Sequence, residues 1–280
     1  MRIAVIANDT IPGTAAALVR LRRAAKKLGI QLSDFAPPPT PAAAPKPDFY
    51  LVLGGDGSVL RALREIGASP SPAPLASVNT GTLGFLTCAD AGGMEKALRA
   101  LRDGEWKKSV RSMLEAACFA PDGGPLCAPT HALNDAVALR SESGQAATLS
   151  LEIDGAAVAE FVCDGMIVST PTGSTAYALS AGGPIITPDA KALCVLPICP
   201  HTMTARPLVL PDDAEVTLRV ARARAPLSFS CDGQVAAMLE PGAAAVIKRS
   251  RRKAVLAMLP PSTPFSVLSQ KLNWGGRREK

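Results

Sequence analysis

LVLGGDGSVL, residues 51–60, joins an apolar run to three glycines within four positions and then to a helical pattern. A buried strand, a glycine turn and a helix in succession build an α/β layer with a parallel sheet. Amides in such a turn commonly close on phosphate. This turn carries its own negative charge, Asp56, and that charge needs a reason.

The flanking chain repeats the alternation. Residues 2–7 (RIAVIA) read as a buried parallel strand, and a turn follows over 9–13. Residues 14–28 (TAAALVRLRRAAKKL) form an amphipathic pattern with Gly29 as its stop. A second strand is expected over 30–35, then an extended loop over 36–47, where six of twelve residues are proline. Strands over 48–53 and 74–78 and helices over 58–66 and 93–101 complete the alternation. After Trp106 the texture changes to short alternating runs: LEAACFA, HALNDAVAL, ATLSLEID, AEVTLRVAR and AAAVIKRS, with D-G turns at Asp122 and Asp154. The expected organisation is an α/β domain over 1–108 and a mostly β domain over 109–255. Residues 256–280, with a helix within FSVLSQKLNW, are expected to return to the first domain.

A chain of 280 residues, 48% apolar and 19% charged, has material for about two packed domains. Only 4% is aromatic, so the core must rest on Ala, Val, Leu and Ile. The seven cysteines are odd in number and lack CxxC spacing, which argues against a disulfide framework or zinc site. No apolar run approaches the ~20 residues of a membrane span, and no signal core opens the chain. The expectation is a soluble cytoplasmic protein with no membrane partner. The basic run KRSRRK (248–253) and the tail RREK raise nucleic acid as a partner, but no aromatic residues interleave for stacking. A solvated strand end explains them better.

Four stretches concentrate Gly, Thr, Ser, Asn and Asp: GGDGS (54–58), NTGTLGF (79–85), LNDAV (133–137) and DGMIVSTPTGSTAYALSAGGP (164–184). The first three could be ordinary turns or a bulge. The last gives up twenty-one positions of core-building chain, which points to function. Ser174 or Thr175 is expected to cap a short helix, TAYALSA, stopped by Gly182 and Gly183. Thr175 and Ser180 offer hydroxyls and Tyr177 a stacking face, while Asn134 and Asp135 suit adenine amino groups and ribose diols. The competing reading is a capped core helix. Cys163 and Cys231 each precede a D-G pair and are expected to be small buried filler.

No GxxxxGK[ST], GxGxxG opening a helix, HExxH or GxSxG occurs, and His131 and His201 are the only histidines. Asp56 is therefore the leading acid/base candidate. A carboxylate among phosphate-binding amides makes sense if a proton or a metal ion stands between it and phosphate. A hydroxyl attacking phosphorus supplies the proton, and Mg²⁺ supplies the charge. That is kinase chemistry.

At this point the chain resembles the NAD kinase family, which phosphorylates the 2′-hydroxyl of the adenosine ribose of NAD to give NADP. LGGDGSVLRA, NTGTLGFLT, ALNDAV, DGMIVSTPTGSTAYALSAGGPI, PHTMTARPLVLP and SCDGQ resemble its blocks in order, from about residue 50 to 234. The resemblance implies a Rossmann-like first domain, a β-rich second domain, and homodimers or homotetramers. It implies ATP as donor, NAD as substrate and a divalent metal, expected to be Mg²⁺; no residue is assigned as a metal ligand. It makes Asp56 the proton acceptor, with Gly57 beside it and Arg61 on phosphate. Asn134 and Asp135 would hold the adenosine and its ribose, and Asp164 the nicotinamide end. Thr175, Ala176, Tyr177, Ala178, Leu179 and Ser180 would surround adenine and ribose. Gln234 is a further contact, and Cys199 and His201 would border the pocket. Two positions depart: Val162 stands where some relatives carry Arg, and Gln145 where some carry a basic residue or His. A lipid kinase of the diacylglycerol or sphingoid type, which shares the GGDG loop, is the alternative.

Overall fold

The structure, a computed structural model, describes residues 1–8, 11–35, 46–67, 73–81, 84–142, 146–260 and 263–274. Most of the proline-rich stretch, part of the turn at 9–13, residues 82 and 83 of NTGTLGF, Gln145 and the RREK tail lie outside them. The chain forms two compact units. One comprises Met1–Val110 with Ala254–Lys280, the other Arg111–Lys253.

The first unit contains β1 (Arg2–Ala7), α1 (Thr14–Leu28), β2 (Gln31–Asp34), β3 (Phe49–Leu53), α2 (Asp56–Ile66), β4 (Leu75–Asn79), β5 (Ala89–Asp90) and α3 (Met94–Asp103). The strands run parallel in the order β4-β3-β1-β2, and β5 adds to β4. Central strands are buried along their length, as β4 is at all five positions, because helices cover both faces of such a sheet. Helix α1 buries Ala17, Leu21, Ala24, Ala25 and Leu28 and turns its Arg and Lys side chains outward. It ends at Gly29, whose φ of 65° lets its N–H donate back to Ala25 and Lys26 carbonyls. Ile3, Leu21, Leu51, Leu53, Val78 and Leu98 form the core between helix and sheet.

The second unit takes in most of β6 (Lys107–Phe119), with β7 (Thr130–Ala132), β8 (Asp135–Arg140), β9 (Ala147–Ile153), β10 (Ala156–Cys163), β11 (Gly165–Ser169), α4 (Tyr177–Ser180), β12 (Ala192–Ile198), β13 (Leu208–Pro211), β14 (Val216–Arg222), β15 (Leu227–Cys231) and β16 (Gln234–Leu239). Strand β17 (Ala244–Met258) follows, and α5 (Pro264–Lys271) belongs to the first unit. Six strands form an antiparallel sheet, β13-β12-β11-β8-β15-β16. Strands β10, β9, β14 and β17 pair antiparallel in that order. Residues from both sets, among them Leu149, Met166, Val216, Phe229 and Ile247, form one apolar cluster. The fold is thus an α/β unit with a parallel sheet and a mostly antiparallel β unit. The alternating burial of β9 is the signature that its sequence carries.

Two local expectations are corrected. Helix α2 starts at Asp56, two positions before the expected Ser58, so the aspartate is part of the helix rather than of the loop. Neither Ser174 nor Thr175 caps the TAYALSA helix. A 3-10 turn spans Gly173–Thr175, and the single turn α4 starts after Ala176 without a side-chain cap. Ser174 instead donates to the Pro171 carbonyl at 2.7 Å and accepts from Ile186 N–H at 2.9 Å, fastening the chain on either side.

Candidate active site

In the first unit, β3 delivers the chain to Gly54, whose φ of 144° no side chain favours. A Cβ there would collide with the Ser58 hydroxyl. The turn closes onto α2, with Asp56 in the first helical turn, where the helix dipole favours negative charge. Asp56 Oδ2 accepts the Phe85 N–H at 2.8 Å, and Oδ1 accepts the Leu86 N–H at 2.9 Å. The loop that donates is itself tied down. Ser77 on β4 donates to the Leu86 carbonyl at 2.7 Å, and the Gly84 N–H donates to Thr87 Oγ1 at 2.9 Å. Asn79, buried at the end of β4, accepts the Gly81 N–H at 2.8 Å. The GGDG and NTGTLGF stretches are therefore one assembly, held through Asp56. A carboxylate oxygen has room for more than one donor, and Asp56 remains half-buried rather than sealed. Gly57 is exposed beside it. Arg61 lies one turn on, exposed, with Nε on Glu65 Oε1 at 2.6 Å.

In the second unit, the LND segment enters β8, and the 170–174 turn packs directly on it. The Thr170 hydroxyl donates to the Leu133 carbonyl at 2.6 Å, and its N–H donates to the Asn134 carbonyl at 2.8 Å. Thr170 Oγ1 also accepts the Gly173 N–H at 3.0 Å. A Cβ on Gly173 would run into the Asn134 backbone, so only glycine allows this approach. Behind the turn, buried Arg111 reaches Thr172 Oγ1 at 3.4 Å. Burial lowers the pKa of that guanidinium, and the charge of Asp189 partly opposes the shift.

Asp135 is 6% exposed. Burial first, and the negative charge of Asp232 second, push its carboxyl up to about 7. The folded chain therefore holds this proton to a much higher pH than the unfolded chain, whose carboxyl titrates near ~3.9. The sign follows: the site costs nothing below about pH 4, and its cost grows as pH rises to about 7. Asp135→Asn should accordingly be more stable than wild type at pH 8, by on the order of 2 kcal/mol, and unfold at a higher temperature. The gap should vanish at pH 4. A pH-independent gap in calorimetry would contradict the buried-charge account.

The remaining candidates are placed unevenly. Asp164 is engaged by Arg140 through two contacts, at 2.7 and 3.3 Å. Thr175 and Ala176 are half-buried, with the Thr175 hydroxyl donating to the Thr172 carbonyl at 3.3 Å. Tyr177 and Ser180 are exposed and Leu179 is half-buried. Ala178 packs against Val137, Ile167 and Leu196, so it serves the core. Gln234 is exposed at the start of β16. Cys199, at φ 46°, and His201 are exposed, the latter donating its N–H to the Val162 carbonyl at 2.8 Å. Cys163 and Cys231 are buried thiols pushed up to about 11 by desolvation, which suits packing rather than nucleophilic chemistry. In the basic run, Arg249 pairs with Asp212 at 2.7 Å and Lys248 with Glu215 at 3.9 Å.

Sequence reasoning passed over Asp232. Its carboxylate accepts the N–H groups of Leu133, Asn134 and Asp135 at 2.8, 2.8 and 3.3 Å. The D-G pair was a visible signal, but it reads as a turn and not as a clamp reaching back ninety-seven residues. Gly84 and Gly173 were equally silent, since close approach across the fold leaves no local pattern.

The first unit thus holds a carboxylate fixed at a glycine turn, and the second an Asn-Asp pair fixed against a hydroxyl-rich turn, the features expected of phosphoryl transfer to a nucleoside. The ATP-NAD kinase N-terminal domain model matches residues 40–106, and the C-terminal domain model matches residues 133–259. The NAD kinase of Symbiobacterium thermophilum is 39% identical over 263 residues, 94% of this chain and 90% of its own. The NAD kinase of Aquifex aeolicus is 40% identical over 228 residues, 81% and 82% of the two chains. Among solved structures, yeast NADH kinase complexed with NADH superposes with a TM-score of 0.85 at 25% identity, covering 100% of this chain and 90% of that one. An NAD kinase from Archaeoglobus fulgidus in complex with ATP gives 0.75 at 27% identity, covering 99% and 100%. The chain belongs to the NAD kinase family. The comparisons give the lipid-kinase alternative no support.

Proposed function

We propose that Asp56 is the general base of this NAD kinase and that Asn134 and Asp135 bind the adenosine end of NAD. The observation that carries the reading is the half-buried Asp56 carboxylate, held at the first turn of α2 by two amides of a second glycine loop. In the reaction, the 2′-hydroxyl oxygen of the adenosine ribose forms a bond to the γ-phosphorus of ATP. Its proton passes to Asp56, the bond from γ-phosphorus to the bridging oxygen breaks, and ADP leaves. Asn134 presents a carboxamide and Asp135 a carboxyl to the nucleoside, while the fixed Thr170–Gly173 backbone keeps that segment from shifting. Tyr177 and Ser180, both exposed, add a ring face and a hydroxyl. Asp164 acts together with Arg140 rather than as a free carboxylate.

Among the described residues, no three His, Cys, Asp or Glu side chains group to hold a metal ion. Mg²⁺ carried mainly by nucleotide phosphates needs one or two protein carboxylates at most. Asp56 is the residue that would supply one. When bound, the metal neutralises charge spread over the phosphoryl oxygens.

Incubation of the purified chain with NAD, ATP and Mg²⁺ should yield NADP. Sphingosine and diacylglycerol should remain unphosphorylated under the same conditions. No NADP above a boiled control would contradict the reading.

The active form is a homodimer or homotetramer in the cytoplasm. Exposed Leu208 and Val209 on β13 and Val235 and Met238 on β16, at the edges of the six-stranded sheet, support self-association. Seven unpaired cysteines support a reducing compartment. Light scattering giving the mass of one chain at assay concentration would contradict the oligomer.

A further inference from the structure

We propose that Asp232 is a positioning residue for dinucleotide binding: its carboxylate gathers three successive backbone amides and so presents the Asn134 and Asp135 side chains to the nucleoside. The inference rests on the reading of Asn134 and Asp135 as dinucleotide contacts.

The geometry is that of a backbone nest, a run of N–H groups converging on one anion, with the chain's own carboxylate as the anion. Oδ2 takes the Leu133 N–H, and Oδ1 takes those of Asn134 and Asp135. The contact is reciprocal, because the Asp232 N–H donates to the Asp135 carbonyl at 3.0 Å. The clamp is also well supported from behind. Strand β15 pairs with β8 in a register that sets Cys231 opposite Ala136, immediately before the turn. Asp232 and Gly233 have φ of 48° and 73°, the left-handed pair of a tight hairpin turn. Asp tolerates that conformation better than most residues.

Only a carboxylate suits this place. Three donors converge, so an ionised acid, which has acceptors alone, satisfies them all. An amide of the same shape would turn one NH₂ group toward a backbone N–H. Asp232 also sets the charge beside Asp135. The titratable groups that the β15–β16 turn brings to Asp135 are Asp232 and Cys231, and across β11 the facing residue is Ser169. Removing the Asp232 charge therefore lets Asp135 ionise at lower pH.

The test uses the full chain and Asp232→Asn, since Asn also adopts positive φ. KM for NAD should rise roughly tenfold, the scale of one charge-assisted hydrogen bond. KM for ATP should stay within about twofold. If Asp135 titration shows in kcat/KM for NAD, its inflection should lie at lower pH in Asp232→Asn than in wild type, which a merely structural role would not produce. Unchanged KM for NAD with an unmoved inflection overturns the proposal. So does a parallel rise of both KM values with an unmoved inflection. If Asp232→Asn does not fold, Asp232→Ser, which keeps one acceptor without charge, is read by the same criteria. Asn134→Ala and Asp135→Asn separate the two layers. If both leave KM for NAD unchanged, the contact reading fails. If they raise it and Asp232→Asn does not, this inference alone fails.

Discussion

Asp56→Asn lowers kcat by roughly 10²–10⁴-fold and leaves the Kd for NAD within a few fold, as expected for loss of a general base. The substitution keeps the shape of the side chain and its place in the first turn of α2. It removes the group that receives the ribose proton. It also weakens one of two loop contacts, because an amide has one oxygen where Asp56 uses two, on Phe85 and Leu86. Those two consequences separate in the measurements. Loss of the base falls on the chemical step, seen in single-turnover rates at saturating NAD and ATP. A purely structural pin would instead show as reduced thermal stability, with affinity and rate declining together. The latter pattern would refute the assignment.

Gly84→Ala has the second-largest expected effect. A Cβ at this position falls on the Asp56 carboxylate. Position 84 opens the residue run that donates to that carboxylate and is itself anchored by Thr87. Neither partner can retreat without cost, so either Asp56 leaves its place or the loop does. Misplacement of a catalytic group by about 1 Å can cost on the order of 10²-fold in rate, and kcat should fall by about that much. Far-ultraviolet circular dichroism should stay close to wild type, because the change is confined to the loop. Activity within about twofold of wild type would show that the carboxylate is free to move and that its fixed position is not needed.

These effects show what the sequence could and could not disclose. Strand β1 and helix α1 were legible to the residue, because RIAVIA is apolar throughout after Arg2 and Gly29 ends the helical spacing. The β unit was legible through alternation in β9 and β14 and through the Asp154-Gly155 turn, at φ 51° and 78°. The start of α2 was not, since Gly55 and Gly57 hide a helix boundary that Asp56 in fact shares. In the site, residue types pointed to Asp56, Asn134 and Asp135. Their partners were invisible for one physical reason. Phe85, Leu86 and Leu133 act through backbone atoms, which leave no signature in side-chain chemistry. The same holds for Ala178, whose neighbours in TAYALS suggest a ligand surface while its methyl group packs into the core. The Arg140–Asp164 pair was hidden because its members lie twenty-four positions apart, one at the end of β8 and the other in the bend between β10 and β11.

The decisive measurement is a crystal structure with NAD and a non-hydrolysable ATP analogue bound. An Asp56 oxygen should lie about 2.6–3.2 Å from the adenosine 2′-hydroxyl, or reach it through one water or one metal ion. A well-ordered dinucleotide whose 2′-hydroxyl faces any other acceptor, with Asp56 still held by Phe85 and Leu86, would contradict the account.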